Sequence, residues 1–227
     1  MDAETADATD DYGIPVVSGP TDAARRKLRE ISDAAAVEFL AEGYSAVSMD
    51  AITSRSGVSK ATVYKHFGTK QRLFLAVIGG IVRQTCADLG PYDSTVAGAF
   101  AEASDPRASL ILLTRGRAEF MLRPDVMALR RLVIGESERF PQLGRLWYEA
   151  TYGMTDGPLV ETLTELGRLG KLVVPDPVLA GLQLVAVTVG VPLLEHTFAP
   201  GTEVDPAELT RVVTSGVDLF LARYAAP

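Results

Sequence analysis

The residues of this chain best suited to chemistry form one short run, Lys60-Ala61-Thr62-Val63-Tyr64-Lys65-His66-Phe67. At helical spacing, Val63 and Phe67 share a face that turns inward with Val58. The opposite face carries Ala61, Thr62 and Lys65, with Lys60 at the N-terminal end and Tyr64 and His66 on the two flanks. A lysine donates to guanine O6 and N7. A threonine bonds a base edge or touches a thymine methyl, and an alanine leaves room for close approach. Lys60, Ala61, Thr62 and Lys65 are therefore the candidate base readers, and Tyr64 and His66 are placed for the phosphate walls on either side. Ser48 and Thr69 cap neighbouring helices, whose free backbone N–H groups favour a phosphate oxygen. Lys70 adds charge beside one of those ends. Arg25 and Arg26, with Lys27 and Arg29, make a basic cluster at the start of the first helix and complete the candidate phosphate set.

These side chains need a frame. Leu28, Ile31, Ala35 and Phe39 recur at helical spacing from about Thr21, and Gly43 is placed to end that helix. Ser48 starts a short second helix that runs to Ser56, where Gly57 forces a turn. Ser59 starts a third that ends near Phe67-Gly68, and Thr69 starts a fourth, expected over about 70–86 with Pro91 interrupting the chain beyond it. Short helix, glycine turn and short helix make the helix-turn-helix pattern, whose second helix enters the major groove.

Charge follows the same division. The chain of 227 residues carries a formal net charge of −7, which looks wrong for a nucleic-acid binder. Residues 1–20 hold five acids and no base, residues 21–83 are net +4, and residues 84–227 are net −6. Attraction to DNA depends on the local patch rather than the total. The polar, acidic residues 1–20 read as a disordered tail.

After Ser104-Asp105-Pro106 the pattern is helix on helix, over about 107–122, 125–140, 142–155, 158–171, 177–197 and 206–224. Asp176-Pro177 and Asp205-Pro206 mark two of the starts. No strand-like alternation is sustained, and 47% hydrophobic residues suffice for a sizeable core. The expected fold is all-α: a three-helix helix-turn-helix domain over 21–83, joined by a connecting helix to a helical domain over 84–227. The run from Pro177 to Leu194 holds no charge and approaches the length of a membrane span. Gln183, Thr188, Gly181, Gly190 and Pro192 dilute it, and no basic flank marks an inside face. The expectation is a buried or subunit-interface helix, with no membrane partner.

Other classes find little support. There are two histidines, and His66 lies in the third helix. No nucleophile elbow, P-loop or dinucleotide glycine pattern is present. With one cysteine and two histidines a metal cluster is not expected, nor is a cofactor. The chain does not read as an enzyme. Cys86 has no disulfide partner, and the acidic start lacks the features of a signal peptide, so a cytoplasmic location is expected.

One acid stands out in the second half. On the helix at about 125–140, Val126, Leu129, Leu132, Val133 and Phe140 define the apolar face, and Glu136 projects close to its middle. A carboxylate there needs a partner. It is either the polar anchor of a bound molecule or half of a structural ion pair, for example with Arg117. Trp147, Tyr148, Tyr152 and Met154 follow on the next helix, as core or as pocket lining.

The run Gly57-Val58-Ser59-Lys60-Ala61-Thr62-Val63-Tyr64-Lys65-His66-Phe67-Gly68-Thr69-Lys70-Gln71-Arg72-Leu73-Phe74 closely resembles the tetracycline-repressor family. Ser48-Met49-Asp50-Ala51-Ile52 and the preceding amphipathic helix fit as well, so the resemblance covers about residues 21–80. Thr53 and Ser56 depart from it, standing where the family usually carries alanine. The resemblance implies a homodimeric all-α repressor in which the third helix reads DNA and Tyr64, His66 and Lys70 touch the backbone. It further implies a C-terminal domain that dimerises and binds a small molecule which releases the DNA, and two-fold pairing of a short reading helix predicts an inverted-repeat operator. The helices at about 177–197 and 206–224 are the expected dimer interface, and a small apolar effector is expected, with Glu136, Trp147, Tyr148, Tyr152 and Met154 as its candidate contacts. Arg130 to Pro141 looks like the C-terminal domain of one repressor subgroup associated with efflux and quorum-linked control. The alternative is a DNA-binding protein that answers to no effector.

Overall fold

A computed structural model describes residues 8–102, 105–152 and 157–226, with the side chains of 90–102 left aside. Among these residues there is no strand. Two isolated β-bridges join Thr9 to Pro15 and Leu172 to Ala225. The chain divides into two compact units: residues 1–84 with 128–150, and residues 85–127 with 151–227.

In the first unit, helix α1 (Asp22–Ala46) is capped by Thr21, whose hydroxyl accepts the N–H of Ala24. Gly43 breaks its regular course at φ 75°. That conformation is open to glycine and strained for other residues, and the glycine ends the straight part of the helix where the spacing predicts. Helix α2 (Met49–Ser56) starts at Ser48, whose hydroxyl accepts from Ala51 N, and stops at Gly57 in the left-handed region. Helix α3 (Lys60–Phe67) starts at Ser59, which accepts from Thr62 N. Leu28, Ile31, Phe39, Ile52, Val58, Val63, Phe67, Leu73 and Phe74 are buried here. The core residues named from periodicity thus do close the helix-turn-helix from within.

Helix α4 (Lys70–Glu102) corrects the expected end near residue 86 and the expected interruption at Pro91. An internal proline removes one backbone hydrogen bond and crowds the preceding turn, costing about 3 kcal/mol. In a helix of 33 residues that cost falls on a single turn and does not end the element.

The disordered tail expected over 1–20 is corrected for residues 8–20; residues 1–7 lie outside the described residues. Ile14 is fully buried against Gly79 of α4. A Cβ on Gly79 would fall 2.7 Å from Ile14 Cγ2, so the glycine makes the notch. Arg83 pairs with Asp10, and the Tyr12 hydroxyl donates to Glu149 at 2.7 Å. An acidic composition does not preclude order when the segment carries an apolar anchor, Ile14, and the surface it meets supplies a notch at Gly79 and a counter-charge at Arg83.

The remaining elements are α5 (Pro106–Met121), α6 (Pro124–Glu136), α7 (Pro141–Thr151), α8 (Pro158–Arg168), α9 (Pro177–Val185), α10 (Val191–Phe198) and α11 (Pro206–Tyr224). Residues 128–150, which include the end of α6 and most of α7, group with the helix-turn-helix in the first unit. In the second unit, α11 passes the backbone between α9 and α10 so closely that a Cβ on Gly216 would sit 2.4 Å from Val187 O. Only glycine permits that approach. The backbone it meets is a π-helical turn, Ala186–Gly190, inside the long apolar segment. That segment, Pro177–Phe198, has the length and hydropathy of a membrane span, and 44% of its most apolar window is buried. Its exposed remainder includes Val191, Leu194 and Phe198, the last 80% exposed.

Candidate nucleic-acid interface

Helix α3 presents what its sequence requires. Val63 and Phe67 are buried, whereas Lys60, Ala61, Tyr64 and Lys65 are exposed and Thr62 and His66 are half-buried. Rigid placement comes from both ends. Ser59 Oγ caps the helix and lies 2.8 Å from Thr62 Oγ1, and the N–H of Gly68 donates to Tyr64 O. Lys60 Nζ pairs with Asp50 at 2.6 Å, which ties the start of α3 to the first turn of α2. Both partners are solvent-exposed, so the pair contributes little to stability and can open for another anion.

The candidate phosphate residues surround this helix. Ser48 and Thr69 both spend their hydroxyls on capping, Ser48 accepting from Ala51 N at 3.0 Å and Thr69 from Arg72 N at 3.1 Å. Arg25 is engaged with Asp22 and with the carbonyl of Gly19, and Arg26 is exposed. Burial, together with Lys65 and Lys27, holds the His66 imidazole below its ordinary value of 6.5, so it is neutral at pH 7. Lys70 packs its ammonium 4.5 Å from the centre of the Tyr44 ring and donates to Ser45 O. Burial is the main influence depressing its pKa, followed by Arg139, with Glu136 opposing.

Glu136 belongs to this same unit. Its Oε1 accepts the backbone N–H of Tyr44 at 3.2 Å, and Oε2 lies 3.9 Å from Arg139. Gly43 and Tyr44, at the break in α1, are the surface it meets. Arg117, on α5 of the second unit, donates to Thr151 O at 2.7 Å. Trp147 is buried and Tyr148 is exposed, both in the first unit, whereas Tyr152 falls in the second. Met154 lies outside the described residues. Sequence reasoning missed Tyr44, Ser45 and Arg139 as members of this neighbourhood. An aromatic directly after a helix-ending glycine was the available signal.

Within the second unit, a hollow of about 120 Å³ is lined by Pro192 and His196 of α10, Leu209 of α11 and Asp205 just before it. It is smaller than the few hundred Å³ of an ordinary ligand site.

Residues 31–77 match the family described as bacterial regulatory proteins, tetR family. Residues 108–226 match the C-terminal domain described as that of AefR-like transcriptional repressors. A solved TetR-family transcriptional regulator from Mesorhizobium loti MAFF303099 is 32% identical, with a TM-score of 0.75 over 89% of this chain and 98% of that one. The flavonoid-responsive regulator FrrA is 29% identical over 89% of this chain and 98% of its own, with a TM-score of 0.69. The HTH-type transcriptional activator FasR of Mycolicibacterium smegmatis is 49% identical over 45 residues, a fifth of each chain. The chain belongs to the TetR family of DNA-binding transcriptional regulators, which bind operators and act as dimers.

Proposed function

We propose that this regulator is a repressor that leaves an inverted-repeat operator when a small apolar molecule binds it. The observation that carries the DNA half is α3 itself, which buries Val63 and Phe67 and turns Ala61, Thr62 and Lys65 outward between two capped ends. Lys60, Ala61, Thr62 and Lys65 read bases. Arg25, Arg26, Ser48, Tyr64, His66, Thr69 and Lys70 hold phosphates. One short helix reads only a few base pairs, so two copies related by a dyad supply the specificity. The exposed apolar side chains of α10, with Leu219 on α11, favour these helices as the dimer surface.

Repression and effector response draw support from the repressor description of residues 108–226 and from FrrA, whose name records a response to flavonoids. FasR is an activator, but its likeness is confined to a fifth of the chain. Helix α4 starts beside α3 and continues past residue 84 into the second unit, so a tilt of α4 is a direct route from effector to half-site spacing. Glu136, Trp147, Tyr148 and Tyr152 remain proposed effector contacts, with Glu136 sharing its carboxylate with Tyr44.

DNA fragments selected from a random pool by the purified protein test the first half. A dyad-symmetric site is expected, and an asymmetric one overturns the reading. Titration of an apolar hit compound, with and without operator, tests the second half. A coupling of about 1–3 kcal/mol weakens DNA about 5- to 150-fold, and DNA must weaken the ligand equally. Equal ligand affinity in both titrations leaves the effector-independent alternative.

A further inference from the structure

We propose that Arg139, about seventy residues beyond the helix-turn-helix, is a DNA-backbone contact that adds one phosphate to those the helix-turn-helix holds, on the same Tyr44-Ser45 corner as Lys70. The inference rests on the DNA-binding reading of Lys70. The Arg139 guanidinium lies 5.2 Å from the centre of the Tyr44 ring, and the Lys70 ammonium lies 4.5 Å from the same centre. Arg139 Nη1 donates to Ser45 Oγ at 2.8 Å, and Lys70 Nζ donates to Ser45 O at 3.3 Å. Two cations far apart in the sequence, Lys70 and Arg139, are thus held on two consecutive residues, Tyr44 and Ser45, at the exit of α1.

Holding like charges together costs free energy, and at Lys70 Arg139 adds to burial in disfavouring the charged form. Glu136 offsets only part of it. That carboxylate is 16% exposed, gives Oε1 to the Tyr44 N–H, and approaches Arg139 no closer than 3.9 Å. The guanidinium is 51% exposed and has five donors, of which Ser45 takes one. A guanidinium with donors to spare on an exposed corner matches the oxygens of a phosphate diester. The neighbouring acid on the solvent side is Glu138, which lines the same surface hollow as Ser45 and Arg139.

A purely structural Arg139 would hold the corner after α6 and touch nothing else. Operator affinity measured against salt separates the two cases, using the full chain with Arg139→Gln, Arg139→Lys and Lys70→Ala. Losing one phosphate contact flattens the slope of log K against log salt by about 0.9. Arg139→Gln is expected to show that change, equally for every operator variant, and Arg139→Lys to retain most of the slope. Glu138→Gln is expected to tighten binding. An unchanged slope in Arg139→Gln overturns the inference, whatever happens to thermal stability. If Lys70→Ala also leaves the slope unchanged, the reading of Lys70 falls with it. If Lys70→Ala flattens the slope and Arg139→Gln does not, only Arg139 is withdrawn.

Discussion

Glu136 Oε1 accepts the backbone N–H of Tyr44 across 92 residues of sequence. The acceptor is needed because Gly43 breaks the helix just before Tyr44, at a non-helical φ of 75°. Glu136→Ala should therefore lower unfolding free energy by about 1–3 kcal/mol, the cost of stranding a partly buried donor. Glu136→Gln keeps an oxygen in place and should cost less. Denaturant melts of the two variants check this ranking, and equal losses would disprove it. The same Glu136→Gln protein, titrated with an effector, reports whether the carboxylate is also a ligand anchor; unchanged affinity removes it from that role.

The N-terminal arm depends on a notch. Ile14 is fully buried, and Gly79 leaves the space for it. Truncation of a buried isoleucine to alanine removes about 2–5 kcal/mol. Ile14→Ala should release the arm, and Gly79→Ala should do the same from the other side by filling the notch. Limited proteolysis within residues 8–20 reads this out, with faster cleavage expected in both variants. Wild-type resistance in both would show that the arm is held by Asp10 and Tyr12 instead.

His66 sets a pH dependence. Its folded-state pKa lies below 6.5, chiefly through burial. The unfolded chain then takes up the proton first, so the stabilising contribution of neutral His66 is present above pH 6.5. It is lost as pH falls from there through the folded value. DNA phosphates act in the opposite sense, favouring the imidazolium, so operator affinity should rise on acidification through the same range. His66→Gln should remove both effects. Melting temperature and operator affinity, each measured between pH 5 and 8, decide it.

Phe198 and Leu194 stand on α10 at 80% and 59% exposure. An apolar pair so open on one helix face is the sort of surface that a second subunit covers. Replacing both with Asp should convert a dimer to a monomer without unfolding it, as light scattering and circular dichroism would show. A dimer that persists moves the interface elsewhere.

Cys86 should be unreactive. Burial pushes its thiol up to about 11, with Arg117 only partly opposing, so the thiolate is scarce at neutral pH. Ellman's reagent should label the native protein far more slowly than the unfolded chain. Equal rates would contradict the burial.

What the sequence by itself determined is local. The starts at Ser48 and Ser59, the stops at Gly57 and Gly68, and the inward Val63 and Phe67 follow from capping chemistry and helical period, which act within a few residues. Helix α3, eight residues long, is short enough to be specified that way, and its outward face is legible as the complement of its buried one. The tertiary structure decided what depends on residues far apart in the chain. Ile14 could not be placed before Gly79 was known to lie opposite it. Pro91 could not be judged without the length of α4. Glu136 could be recognised as an acid in need of a partner, but the partner is a backbone N–H, which every residue carries and no side-chain pattern reveals. For the same reason Arg139 was invisible as a neighbour of Lys70: both cations are ordinary surface residues until packing brings them to the same tyrosine.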